Sequence, residues 1–253
     1  MRFLPYEADY KLLDKCRKYS TIIFCCVCVF SVLLPVFTNF LNKLLKIYEC
    51  TYFILLAAYY VLDIVTEVFI YPATARKRRQ GFIDNALGSK FLEKPVENYY
   101  TNDNIDTGPY KMLVNCAENC YFTLNIAKAM IAKIVFKNVI FILIFLIMAY
   151  IGLSNNMIAI PVFQIFISSL FLTELIYHLN FVSKLNQLFE RFKILFEKRL
   201  DDNEIFQQAV LMYLDYETIL AYNKSPLSNS LYKKLNNKLS EEWEEIKERY
   251  KIR

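Results

Sequence analysis

The chain has 253 residues, of which 56% are apolar and 22% are charged, and its formal net charge is +5. That mixture suits a small membrane bundle that carries a solvated helical part. Four glycines are too few for a β-barrel, which needs a turn at every hairpin. The fold class that we expect is therefore an all-α membrane protein.

Four hydrophobic stretches, grouped in two pairs, set the domain organisation. They cover residues 22–40, 51–71, 139–153 and 157–179. Each is about long enough, with tilt, to cross a hydrocarbon core about 30 Å thick, and lipid forces such spans to be helices. We expect an N-terminal amphipathic helix with a first transmembrane hairpin (1–71), a cytoplasmic linker and helix (72–138), a second hairpin (139–179) and cytoplasmic C-terminal helices (180–253).

Lysine and arginine predict the orientation, because cytoplasmic loops near spans carry an excess of both. They precede the first span, follow the second at once and precede the third, whereas the two short turns carry few or none. Both termini and the central segment 72–138 are therefore expected in the cytoplasm. About twenty polar residues precede the first span, which predicts a signal anchor rather than a cleaved leader.

Helix signals give finer expectations along the chain. A short amphipathic helix is expected at 8–19, and the second span should continue past Pro72 to about residue 86. Pro109 should open a helix that runs through 110–137 into the third span. The fourth span should continue to Phe196, and Asp201 to Asn203 should cap a new helix at 204–222, followed by another at 228–250.

Enzymatic chemistry is not indicated. The chain has no phosphate-binding glycine loop, no dinucleotide-binding motif and no nucleophile elbow, and His178 is its one histidine. Cys116 and Cys120 have helical spacing, but a second ligand pair is missing. We expect no catalytic residue, no cofactor and no metal site.

Two acids inside the second span are the most unusual residues. Asp63 and Glu67 lie one turn apart on one helix face, where a carboxylate costs about 2.5–3.5 kcal/mol to insert. They predict a cation-preferring pore lining, although protonated acids that only join helices are an open alternative. The fourth span adds candidate pore-lining residues, which interhelical bonding or an interfacial position also explains: Gln164, Ser168 and Glu174.

A basic run follows the second span. Arg76, Arg78 and Arg79 are near Tyr99 and Tyr100 in sequence, and cations interleaved with aromatic rings are typical of single-stranded nucleic-acid or nucleotide sites. Membrane anchoring by the positive-inside rule explains the same run, so both readings stay open.

Four segments carry a resemblance to a known family. They are residues 81–89 (GFIDNALGS), 97–101 (ENYYT), 117–122 (AENCYF) and 216–222 (YETILAY), together with Trp243. In these segments the chain resembles the SMODS-associated four-transmembrane effectors of bacterial anti-phage defence, and within them the Hailong-type channel effectors. The resemblance implies an inner-membrane effector controlled by a nucleotide or short single-stranded DNA from a partner nucleotidyltransferase, which depolarises the membrane and arrests growth.

Three functions follow from these patterns. Four spans in one subunit rarely enclose an aqueous path, so the first is a homo-oligomeric channel, most simply a cyclic tetramer. The second is a non-conducting membrane anchor or sensor that recruits a cytoplasmic partner. A small transporter is disfavoured, because the sequence has no visible inverted repeat or broken mid-membrane helix.

Overall fold

A computed structural model describes residues 3–40, 45–96, 99–153, 171–198, 201–223 and 227–252. Six helices make up this part of the chain, which contains no β-strand. The all-α class is thus confirmed. The turn at 41–44 and most of the predicted fourth span, including Gln164 and Ser168, lie outside the described residues.

Helix α1 runs from Glu7 to Phe40 without a break, over 34 residues. The segment 8–19, for which a short amphipathic helix is predicted, is helical and continues directly into the rest of α1. The reason is that the sequence has no proline or glycine between Glu7 and Leu34 to end the helix.

Helix α2 covers Leu45–Leu87 and contains one irregular turn. It is α-helical over Leu45–Ile64, π-helical over Val65–Ile70 and α-helical again over Tyr71–Leu87, so the predicted continuation past Pro72 is confirmed. A proline inside a helix lacks an N–H and crowds the carbonyl four residues earlier. Local π-helical adjustment is one way to accommodate it, and the π turn ends two residues before Pro72.

Among the described residues, α2 is the one helix that is long and apolar enough to cross a membrane. Only 6% of its most apolar window is buried. Large side chains such as Phe53, Ile54 and Val61 are more than 60% exposed. Much of its apolar surface therefore has no protein cover within the described chain.

The remaining helices end close to where the sequence predicts, and those that start at Pro109, Asp202 and Asn229 also begin close to the predicted residue. Helix α3 spans Pro109–Leu153, 45 residues without interruption, and α4 spans Phe171–Glu197. Helix α5 (Asp202–Ala221) starts with a capping box, in which Asp201 accepts from the Glu204 N–H at 2.7 Å. Helix α6 (Asn229–Tyr250) is capped by Ser228 and ends at Lys251 in the left-handed region.

The chain divides into two compact units. One consists of Met1–Leu4, Gln80–Asn138 and Phe171–Arg253, and the other of Pro5–Arg79 and Val139–Leu170. The first unit has a dense core to which α3, α4, α5 and α6 all contribute. Its central side chains are Leu113, Cys116, Cys120, Leu185, Leu188, Phe192, Met212 and Trp243. In the second unit, α1 packs along α2.

Candidate functional site

Asp63 and Glu67 lie on α2 at the start of its π-helical turn. Glu67 is inside that turn, and Asp63 precedes it by two residues. Asp63 is partly buried, yet it makes no hydrogen bond or ion pair with the residues that the structure describes. An acid without a partner on a largely apolar helix surface needs water or another donor nearby.

Glu67 is held by Arg17 of α1. Arginine Nε donates to Glu67 Oε1 at 2.7 Å, and a second guanidinium nitrogen donates to Oε2 at 2.9 Å. The guanidinium also lies 5.1 Å from the centroid of the Tyr71 ring. This two-pronged geometry is the strongest form of arginine–carboxylate pairing. In the sequence, Arg17 is only one of the basic residues that precede the first span and predict its orientation.

A second ion pair joins the same two helices. Lys77 Nζ lies 2.7 Å from Asp9 Oδ2. From Asp9 to Arg17 the residue numbers rise along α1, whereas from Lys77 to Glu67 they fall along α2. The two ion pairs therefore show that the helices run antiparallel. They fix the relative register of α1 and α2 over the polar ends of both helices.

The π turn itself is closely packed at one point. Thr66 is 1% exposed, and its hydroxyl donates to the Leu62 carbonyl at 2.6 Å. Turns of the π type are rare and occur often at functional sites. Asp63, Glu67 and the Arg17 pair all lie within one turn of this irregularity.

Glu174, the remaining pore-lining candidate, forms an ion pair with Lys137 of α3. One turn later, His178 is fully buried, with Nε2 at 2.8 Å from the Ala127 carbonyl oxygen. Both side chains thus connect α4 to α3. Gln164 and Ser168 lie outside the described residues.

The basic run has several environments. Lys77 is paired with Asp9, and Arg78 and Arg79 are partly buried. Arg76 is exposed and has no hydrogen bond or ion pair within the described part of the chain. The run therefore offers Arg76 most openly to an anion.

The two tyrosines belong to the packed core of the other unit. Tyr100 is 5% exposed, its ring lies edge-on to Phe82, and its hydroxyl accepts from Asn119 Nδ2 at 3.3 Å. Tyr99 is partly buried and meets Tyr100 at a 4.7 Å centroid distance. Base stacking needs an open ring face, which Tyr100 lacks in this arrangement.

A buried polar network lies beside these tyrosines, and sequence reasoning missed it. Asn102 Nδ2 donates to Asn115 Oδ1 at 2.9 Å and to Glu118 Oε2 at 2.7 Å, and Asn115 donates to Asn85. Burial raises the pKa of Glu118 to about 7, although Lys247 and hydrogen bonds from Thr101 and Asn102 favour its charged form. Scattered asparagines have no diagnostic spacing, so no sequence signal marks this network.

Asp84 organises the segment that follows α2. Its carboxylate accepts from the Ser89 hydroxyl at 2.7 Å and from the Phe91 and Leu92 N–H groups at 2.8 Å each. Burial alone raises the pKa of Asp84, but these three hydrogen bonds together outweigh it, so the pKa lies below its usual value. Asp84 therefore stays ionised and fixes the loop.

The two helically spaced cysteines are core residues. Cys116 Sγ lies 3.8 Å from the Met212 carbonyl oxygen, and Cys120 Sγ lies 3.5 Å from that of Leu185. Burial raises the pKa of Cys120 strongly. No cluster of three or more potential metal ligands occurs among the described residues.

Comparison with protein-family models, with curated proteins and with solved structures found no match.

Proposed function

We propose that the chain is a subunit of a homo-oligomeric membrane channel that prefers cations. The observation that carries this proposal is α2, whose most apolar window is only 6% buried and which bears the carboxyl group of Asp63, without a hydrogen-bond or ion-pair partner among the described residues. In this proposal lipid covers the apolar surface of α2. An aqueous path next to Asp63 hydrates its carboxyl group, which lipid cannot do.

Exposure of large apolar side chains on α3 supports further spans. Leu143, Leu146 and Ile147 are each more than 50% exposed, and Tyr150 is 81% exposed. Soluble monomers rarely expose contiguous apolar patches larger than a few hundred Å². Four transmembrane helices, with both termini and the central segment in the cytoplasm, account for these surfaces and for the distribution of lysine and arginine.

An oligomer follows from the number of helices. Two hairpins do not surround an aqueous path, so several copies must share one, and a cyclic tetramer is the simplest arrangement. We place this channel in a bacterial inner membrane as an effector of anti-phage defence, following the resemblance in the cytoplasmic segments. Opening it depolarises the cell and arrests growth.

The proposed control is a nucleotide or short single-stranded DNA made by a partner nucleotidyltransferase. Arg76 supports this proposal as an exposed cation without a partner in the described chain. Arg78 and Arg79 extend the positive charge, and Tyr99 is the better candidate of the two tyrosines for stacking because it is only partly buried. Tyr100 acts in this scheme by supporting Tyr99.

A non-conducting anchor or sensor is the second candidate, and one observation favours it. Glu67 pairs with Arg17 and Glu174 pairs with Lys137, so two of the predicted pore acids join helices. In this case all the polar residues of the helices serve assembly, and the cytoplasmic helices recruit a partner.

Planar-bilayer recording separates the two functions. If the protein is a channel, the purified protein should carry a cation current, because water-filled paths lined by acids conduct cations. Cells that express it without its controller should lose the signal of a potential-sensitive dye as growth stops. A silent bilayer together with growth arrest at full membrane potential would leave the anchor as the surviving function.

A further inference from the structure

We infer that Arg17 is a positioning residue of the conduction path: its pair with Glu67 fixes the π-helical turn of α2 and leaves Asp63 as the acid that sets cation preference. This inference rests on the proposed channel function. It assigns different roles to two acids that the sequence presents as equivalent.

The first step is the geometry of the pair. Arg17 reaches Glu67 with two hydrogen bonds, at 2.7 and 2.9 Å, and rests against the Tyr71 ring at 5.1 Å. Planar pairing combined with ring stacking is specific to arginine and holds its partner in one orientation. Arg17 therefore touches α2 on both sides of the end of the π turn.

The second step is what the π turn requires. A six-residue departure from α-helical geometry, Val65–Ile70, persists only where surrounding contacts favour it. Pro72 provides one reason for it, and the buried hydroxyl of Thr66 provides another. The Arg17–Glu67 pair joins the turn to α1 through two hydrogen bonds, so it fixes the direction in which α2 leaves the turn.

The third step is electrostatic. A guanidinium at hydrogen-bonding distance neutralises Glu67 for any ion that passes. Asp63, one turn away, has no such partner in the described chain and is partly exposed. Of these two acids, Asp63 is therefore the one whose charge no hydrogen-bonded cation of the described chain offsets, and a ring of such carboxyls in the oligomer would favour cations.

We call the Arg17–Glu67 pair the clamp. Thermal unfolding of the purified full chain tests it without a measurement of current. Arg17→Gln and Glu67→Gln should each lower the midpoint by about 5 °C, and the double variant should fall no further, because both remove one charged, doubly hydrogen-bonded contact. The swap Arg17→Glu with Glu67→Arg should regain part of the loss.

The second ion pair supplies matched controls. Asp9→Asn and Lys77→Gln remove a single contact between the same helices, in which the cation is more exposed than Arg17. Each should lower the midpoint by less than about 2 °C. Additive losses for Arg17→Gln and Glu67→Gln, or losses no larger than those of the controls, would overturn the clamp.

Reversal potentials in a potassium chloride gradient test the division of roles. Asp63→Asn should reduce the cation-to-chloride permeability ratio severalfold, toward unity, whereas Glu67→Gln should leave it within about twofold. An equal loss in both variants would show that Glu67 is a second selectivity acid. If the wild type carries no current, the channel function and the role of Asp63 both fail, and the thermal cycle alone decides on the clamp.

Discussion

Glu118 is the clearest case of a side chain whose environment, rather than its type, decides its chemistry. It is 5% exposed on α3 and accepts hydrogen bonds from Asn102 and Thr101, while Lys247 of α6 donates to the Thr101 carbonyl at 3.1 Å. Burial disfavours its charged form more than these partners favour it, so its pKa rises from 4.5 to about 7. Glu118 therefore titrates near neutral pH.

The stability of the chain should depend on this titration. A pKa that is higher in the folded state adds stability below pH 4.5, and the gain is lost as the pH rises through 7. The free energy of unfolding should decrease by about 3 kcal/mol over that range through this group. Glu118→Gln should remove this part of the pH dependence, which unfolding midpoints at pH 5 and pH 8 measure. An unchanged slope in the variant would contradict the assignment.

Some site residues could be predicted from the sequence and others could not. Asp63 and Glu67 stand out because charge is expensive inside an apolar run. Arg17 does not, because basic residues beside a span are expected for topology, and its partner Glu67 is fifty positions away. The Glu118 network is hidden for a similar reason, since its members are distant in sequence and each is an ordinary polar residue by itself.

At the scale of elements, α6 is held on the core by a row of buried side chains at helical spacing. Leu239 and Trp243 lie one turn apart, and Lys247 follows one turn later. Tyr121 of α3 donates to Glu242 at 2.6 Å, next to the fully buried Trp243 ring. Helix α6 thus joins α3, which carries Glu118, to the segment around Thr101, which contacts Glu118.

Trp243 should dominate the attachment of α6. Trp243→Ala should cost about 3–5 kcal/mol because it leaves a cavity in the core. Trp243→Phe should cost less than about 1.5 kcal/mol, since the indole N–H has no hydrogen-bond partner in the described chain. Tyr222→Ala, at a position 79% exposed, is the control. Chemical denaturation gives all three values, and equal effects for the Ala and Phe variants would contradict this packing.

Helix boundaries were predictable where local chemistry sets them. Pro109 begins α3, and Asp201 with Glu204 caps α5, because both signals act within one turn. The π turn of α2 was not predictable, since it depends on how Thr66, Arg17 and Pro72 act together. The length of α1 follows from the same kind of local signal, since a change from polar to apolar residues does not end a helix and no proline or glycine lies between Glu7 and Leu34.

At the scale of the whole molecule, composition identifies the all-α class but not what the positive charge serves. Net charge of +5 fits membrane orientation and also fits an anionic ligand. Paired cations such as Lys77 are partly neutralised by their partners, whereas Arg76 is not. Binding of an anionic ligand by these cations should weaken as salt rises, whereas membrane orientation needs no ligand. Experiment can therefore separate the two roles.

Short single-stranded DNA should bind the full-length protein with an affinity that falls steeply as salt rises. Each phosphate contact contributes about 0.7 to the slope of log affinity against log salt. Arg76→Ala with Arg78→Ala and Arg79→Ala should therefore weaken binding and reduce that slope by about 2. Lys233→Ala with Lys234→Ala removes exposed charge on α6 and should leave the slope unchanged. Mobility-shift titrations at several salt concentrations measure these slopes. A well-folded wild type that binds neither oligonucleotides nor cyclic nucleotides would exclude nucleotide control and leave membrane orientation as the role of the basic run.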